Sequence, residues 1–407
     1  MKIRSLTYFN DPGSPIKDEF LRQSDHFVKG VQRKFQSADF EVQTIRFAAP
    51  PFPTYLKDMD EKQVIDFAIQ LEDLLNAQGF EYISLGPALP DFPESYSLIP
   101  DLIQNTENTF CSGIMTQPGK GISLSAVRAC GEIIHQLAPI DPDGFANLFF
   151  AALGNVPAGS PFFPAAYHNQ DAPPAFAIAI EGADLAVEAF SNASSFEEAR
   201  SKLITLIETI DKKLSSLATD LADATGAIYQ GIDCSLAPFP NASLSIGTAL
   251  ENLGIKKLGY YGSLAAAAFL ADTIDRADFH RTGFSGLMLP VLEDTILAER
   301  AAEGTLGIKD LLQYASVCGT GLDTVPLPGD IQADQISAVL MDLAALSLRL
   351  EKPLTARLMP IPGKKAGDKT SFDFPFFSNS KVMSVESEGL SGMFNQEGFL
   401  DIQKRPA

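Results

Sequence analysis

Hydrophobic and polar positions along this chain follow two periods in turn. Short runs rich in β-branched and aromatic residues lead into Pro- and Gly-containing loops, then into stretches with apolar residues three and four apart. The strand-like runs are Ile3–Tyr8, Glu41–Ala48, Tyr82–Gly86, Thr109–Met115, Ala146–Ala152, Phe176–Ile180, Ala227–Ile232, Leu287–Leu292, Leu312–Cys318 and Ala356–Pro360. Between them, Asp60 to Gln78 carries Val64, Phe67, Leu71, Leu74 and Leu75 on one stripe, with Asp60 as N-cap and Gly79 as the stop. Ser195 and Glu198 form a capping-box pattern ahead of Leu203, Leu206, Ile207, Ile210 and Leu214. A further helix near Gln332–Leu350 is predicted to bury Ile336, Val339, Leu340, Leu343 and Leu346. Strand and helix signals alternating over the whole length predict an α/β fold with a mostly parallel sheet or barrel. The loops are Pro-rich with no low-complexity linker, which predicts one α/β barrel domain over residues 1–407, its segment from about 381 packing on the outside.

Charge and cysteine usage narrow the function classes. Lys and Arg number 31 against 51 Asp and Glu, a formal charge of −20 spread along the chain. That field repels nucleic acid and anionic lipid, and neither is expected as a partner. No apolar run reaches membrane-spanning length, and Met1 to Tyr8 lacks a signal-peptide core, so a cytoplasmic protein is expected. Cys111, Cys130, Cys234 and Cys318 are far apart, which argues against disulfides and a tetrahedral zinc site.

Candidate chemistry gathers in loops after strands. Cys318, Gly319, Gly321 and Asp323 form one cluster: a thiol as nucleophile, with a glycine turn whose N–H groups suit an oxyanion or phosphate. The competing account is a buried cysteine beside glycines needed for a tight turn. Asp233 and Asp323 each precede a Pro loop and suit acid–base work or a divalent cation, against plain turn or cap duty. Gly231-Ile232-Asp233 and Gly321-Leu322-Asp323 are followed by Ile and Leu at equal offsets, as in two units of similar shape. Glu293 and Asp294 are adjacent carboxylates of which at most one faces a site, Glu293 joining the candidate metal ligands and Asp294 suiting a helix start. His168 lies in a Pro/aromatic loop and is a candidate general base, against a hydrogen-bonding loop histidine. Lys120, in a Gly loop before a helix, and Arg357 with Lys364 are candidate anion or cofactor contacts.

The segments Gly231 to Pro238, Gly283-Phe284-Ser285-Gly286, Pro290 to Asp294 and Val317 to Asp323 resemble, as a set, a bacterial and archaeal family catalogued as domain of unknown function seven-eleven. Phe145-Ala146-Asn147, Pro161-Phe162 and Ala166-Tyr167-His168 belong to the same resemblance, which runs in order from about Thr109 to Met383. It implies a homodimer of unassigned activity and a fold similar to glycyl-radical enzymes of the pyruvate formate-lyase type: a ten-stranded α/β barrel of two opposed five-stranded halves. The radical motif is absent, since the C-terminal region reads Gly389-Leu390-Ser391-Gly392-Met393-Phe394 and no Cys-Cys pair exists. No glycyl radical is expected. The expectation is an enzyme acting on a small anionic metabolite in a barrel-mouth pocket, by Asp, His and Cys acid–base or metal-assisted chemistry. The alternatives are a non-catalytic small-molecule or ion-binding protein and a dimeric structural or interaction protein.

Overall fold

A computed structural model describes residues 2–404 except 37, 39 and 318. The strands are β1 (Lys2–Phe9), β2 (Ile45–Ala48), β3 (Tyr82–Ala88), β4 (Thr109–Ile114), β5 (Thr116–Gln117), β6 (Gly121–Ser123), β7 (Phe150–Gly154), β8 (Ala175–Glu181), β9 (Ile228–Asp233), β10 (Gly321–Pro328), β11 (Leu354–Ile361) and β12 (Phe399–Leu400). Nine of them form one mixed sheet in the order β10-β11-β7-β4-β3-β2-β1-β8-β9, and β12-β6-β5 form a small second sheet. Strands β1, β2, β3, β4 and β7 run parallel to one another. The direction reverses at β1/β8 and at β7/β11, beyond which β8/β9 and β10/β11 are again parallel pairs.

Side-chain alternation explains the layering. On β8, Phe176, Ile178 and Ile180 pack into the large core under the helices, while Ala175, Ala177 and Ala179 join small clusters on the opposite face. Likewise Ile45 and Phe47 of β2 face the helices, which turns Arg46 and Ala48 the other way. Leu354, Ala356 and Leu358 of β11 do the same for Arg357 and Met359. The inner face therefore mixes small and polar residues with a few aromatic ones, and chain crosses it. Residues 159–168 do so: Pro161 O accepts from Thr7 Oγ1 at 2.9 Å and Ala166 O from Ser84 Oγ at 2.7 Å.

The expected helices are present, over Glu61–Gln78 with a full capping box at Asp60 and Gly79 in the left-handed conformation, over Phe196–Thr225 capped by Ser195, and over Ala333–Arg349. Three strand expectations need correction. Of the run Leu312–Cys318, the described residues 312–317 form no strand: Ile308–Ala315 is a helix, because Ile308, Leu311, Tyr314 and Ala315 bury one helical face and Asp310 accepts from Gly307 N. The strand follows it, as β10. The run Ala146–Ala152 begins as a 3₁₀ turn over Phe145–Phe149, and β7 starts only at Phe150. Leu287–Leu292 forms no continuous strand, since Pro290 has no N–H to donate and Ser285 sits at φ +41°. Residues 280–292, which contain this run, nevertheless bond to both edges of the sheet. Ile232 N of β9 donates to His280 O at 2.7 Å, and Val291 N donates to Asp323 O of β10 at 3.0 Å.

Candidate functional site

An arginine inside an apolar strand is costly to bury, and three strands carry one. Arg4 of β1, Arg46 of β2 and Arg357 of β11 converge on one cavity on the inner face, with Asp323 of β10 and Glu293 from the stretch between β9 and β10. The space between these residues, open solvent at its mouth included, is about 710 Å³. Tyr82, Phe110, Phe162 and Phe163 form its walls, and Phe374 and Phe376 close one side. A smaller space of about 310 Å³ continues past Phe162, Phe163, Met288, Asp323 and Arg357 towards Thr320 and Thr355.

The charged groups form a chain. Glu181 accepts from Arg4 Nη1 at 3.3 Å and from Gln43 Nε2 at 2.6 Å, and Arg4 Nη2 donates to Glu293 Oε2 at 2.7 Å. Glu293 Oε1 accepts from Arg357 Nη2 at 2.7 Å, and Arg357 Nε donates to Asp323 Oδ1 at 2.6 Å. Arg46 stands apart. Its Nε donates to Thr44 Oγ1 at 2.8 Å, and its guanidinium carbon lies over the Tyr82 and Phe163 rings at 5.2 and 5.3 Å. Among the described residues no carboxylate pairs with it.

Burial sets the proton affinities. It pushes the Asp323 carboxyl above its ordinary value, Arg357 pulls it back in part, and the Glu293 charge pushes it up again. Burial, with the Arg4 charge, presses the Arg46 guanidinium down from its ordinary value, although it stays a cation at neutral pH. Backbone strain marks the same spot. Thr324, next to Asp323, is a β-branched residue at φ +44°, and the β10/β11 register slips between Leu322 and Val325. This bulge bends the strand at Asp323.

Of the residues singled out in the sequence, Asp323, Glu293 and Arg357 are brought together here. Asp233 is not among the lining residues. It is fully buried, and its oxygens accept from Ser235 Oγ, Phe284 N and Ser285 N at 2.6, 2.7 and 2.9 Å, fastening the stretch after β9. Burial raises it to about 6. His168 is buried against Phe9, with Nε2 3.1 Å from Ala172 O. Burial lowers its proton affinity. Lys120 lies on the outside in the β5–β6 turn, paired with Asp91 at 3.2 Å. Lys364 sits in the turn after β11 and, like Lys120, does not reach the cavity. Gly319 and Gly321 serve close backbone crossings: a Cβ would meet Gly286 Cα at 2.8 Å from the first and Thr355 O at 2.4 Å from the second. Cys318 lies outside the described residues. Asp294 turns away from Glu293 and caps two helices, accepting from Ile246 N at 2.6 Å and from Leu297 N at 3.0 Å. No group of three or more His, Cys, Asp or Glu among the described residues is arranged to hold a metal ion. No helix among them is long and apolar enough to cross a membrane.

Sequence reasoning missed Arg4, Arg46 and the aromatic walls. The signal was present as Ile3-Arg4-Ser5-Leu6, Ile45-Arg46-Phe47 and Ala356-Arg357-Leu358: a cation inside a short strand-like run otherwise free of charge.

The comparisons match this chain to proteins of one kind. A UPF0210 protein of Pyrobaculum aerophilum is 32% identical over 354 residues, 83% of this chain and 78% of that protein. UPF0210 proteins of Acetivibrio thermocellus and Oleidesulfovibrio alaskensis are 28% and 30% identical, each covering 94% of this chain and 88% of the relative. Residues 1–380, which include every cavity-lining residue, match the family described as "Uncharacterised ACR (DUF711)". The chain belongs to that uncharacterised family.

Proposed function

We propose that this protein is an enzyme acting on a small anionic metabolite held in the arginine-lined cavity. Arg46 and the free Nη1 edge of Arg357 would bind the anion, and Asp323 would carry a proton to or from it. The observation supporting this is the convergence of the buried Arg46 and Arg357 and the partly buried Arg4 with Asp323 and Glu293 inside aromatic walls, where Thr324 is, among the described residues, the one β-branched residue at positive φ. Both carboxylates are engaged by Arg357, so a divalent cation there would first have to displace it; proton transfer fits the arrangement better.

The same reading takes residues 280–292 as the irregular tenth stave that closes the sheet, because they bond to β9 at one end and β10 at the other. The fold would then be a single ten-stranded barrel of opposed halves like that of glycyl-radical enzymes, with the segment from 381 outside it and no radical chemistry. A cytoplasmic homodimer completes the proposal. A thermal-shift screen of carboxylated and phosphorylated metabolites tests it, followed by turnover of each hit monitored by NMR. Hits should lose their effect with Arg46→Gln, and Asp323→Asn should bind them without turnover. Hits indifferent to Arg46→Gln would refute the site. Binding without turnover by the wild type would leave a non-catalytic binder.

A further inference from the structure

The charges and rings of this cavity restrict its ligand more narrowly than "small anion". Arg4 divides its two Nη groups between Glu181 and Glu293, and Arg357 divides its donors between Glu293 and Asp323. Those three carboxylates exceed the two arginines by one negative charge, and Arg46 supplies the balancing positive charge without touching any of them. Its Nη groups make no hydrogen bond among the described residues, and the side chain is only 7% exposed. A desolvated guanidinium left open on its Nη side suits one carboxylate, bound through two parallel N–H donors. A second anionic group on the same ligand would find only the Nη1 edge of Arg357, a cation already shared by Asp323 and Glu293, and be repelled by both carboxylates.

The rest of the lining is ring surface. Phe110 packs against Tyr82 and Phe163 with centroids 5.2 and 5.3 Å apart, and Phe374 and Phe376 face the cavity from the 370–380 loop. Aromatic walls of this kind pair with flat π-systems in offset or edge geometry and gain beyond simple area burial.

We infer that the ligand is a flat, conjugated monocarboxylate, its single carboxylate on Arg46 and its unsaturated body among Tyr82, Phe110, Phe163 and the two loop phenylalanines. This rests on the proposed function above and specifies its substrate class.

Titration calorimetry on the full chain tests it, with benzoate, cinnamate, cyclohexanecarboxylate, succinate and phenyl phosphate as probes. Benzoate or cinnamate should bind at least about tenfold more tightly than cyclohexanecarboxylate and than succinate, and Arg46→Gln should weaken them by at least about tenfold. Thermal melts of Arg46→Gln and Arg46→Lys establish that the variants are folded. Succinate or phenyl phosphate binding best, in a manner that needs Arg46, overturns the monocarboxylate inference and leaves the anion site standing. Equal affinity for benzoate and cyclohexanecarboxylate overturns the flat-body inference. No binding by any probe overturns this inference; the wider metabolite screen alone decides the anion site.

Discussion

Arg357 holds Asp323 across adjacent strands, its Nε 2.6 Å from Oδ1, with both residues almost fully buried. The same guanidinium also holds Glu293, so one cation serves two buried carboxylates. Replacing Arg357 with Met would leave both without their shared partner. The expected cost is about 3–5 kcal/mol, the range for breaking a buried pair from one side. Asp323→Asn, which keeps a neutral acceptor for Nε, should cost less, and the double variant should recover part of the loss. Urea unfolding of the three variants measures this, and an Arg357→Met protein as stable as the wild type would show the network to be solvated.

Arg46 should behave in the opposite way. It is as buried as Arg357 but has no carboxylate, and burial makes its charged form less favourable. Its contacts with Tyr82, Phe163 and Thr44 offset only part of that cost. Arg46→Met is therefore expected to be at least as stable as the wild type while losing anion binding, a trade typical of groups kept for function. A loss above about 1 kcal/mol in the same unfolding assay would instead make Arg46 part of the scaffold.

Asp233 gives a pH signature unrelated to the cavity. Its carboxyl lies at about 6 in the folded chain against 3.8 for the free group, because burial outweighs its hydrogen bonds. A raised folded value means the native state binds the proton more tightly than the unfolded state. The associated stabilisation is complete below about pH 4 and is lost as pH rises through 6. At ~1.4 kcal/mol per unit the loss approaches about 3 kcal/mol. The stability advantage of wild type over Asp233→Asn should therefore shrink between pH 4 and pH 7, and a difference independent of pH would contradict the assignment.

The parts of the fold legible in the sequence are those whose signal is local. Asp60 and Gly79 bracket their helix because capping depends on residues within one turn, and Ser195 does the same for the long helix after it. Leu312–Cys318 looked like a strand because its apolar residues are crowded, and only the burial of Leu311 and Tyr314 on one face reveals the helix. The candidate site is less legible because it is assembled from distant strands. Asp323, Glu293 and Arg357 stand out as polar residues beside Pro- and Gly-rich loops. Arg4 and Arg46 lie 319 and 277 residues before Asp323, on strands five and four places from β11 in the sheet, and only the shared cavity brings them together. The matching Gly-x-Asp units diverge for the same reason. Gly231 and Gly321 both sit at positive φ against a neighbouring carbonyl, yet Asp233 fastens the 284–285 backbone while Asp323 faces the cavity.

The pH dependence of binding follows from the groups around Asp323. Facing it are Arg357 from β11 and Glu293 from the stretch before β10, with Arg4 and Glu181 in the same network and Arg46 lining the cavity apart from it. Burial already holds the proton on Asp323 more tightly than usual. An anion arriving at Arg46 adds negative charge to a balanced cluster and raises that proton affinity further. By linkage, benzoate should bind more tightly as pH falls through the raised Asp323 value, with a fraction of a proton, at most one, taken up per ligand. Calorimetry in buffers of different ionisation enthalpy counts that proton directly. Asp323→Asn should abolish the uptake while keeping affinity at the low-pH level. If it binds benzoate with the wild-type pH profile, the proton is carried elsewhere and Asp323 loses its assigned part.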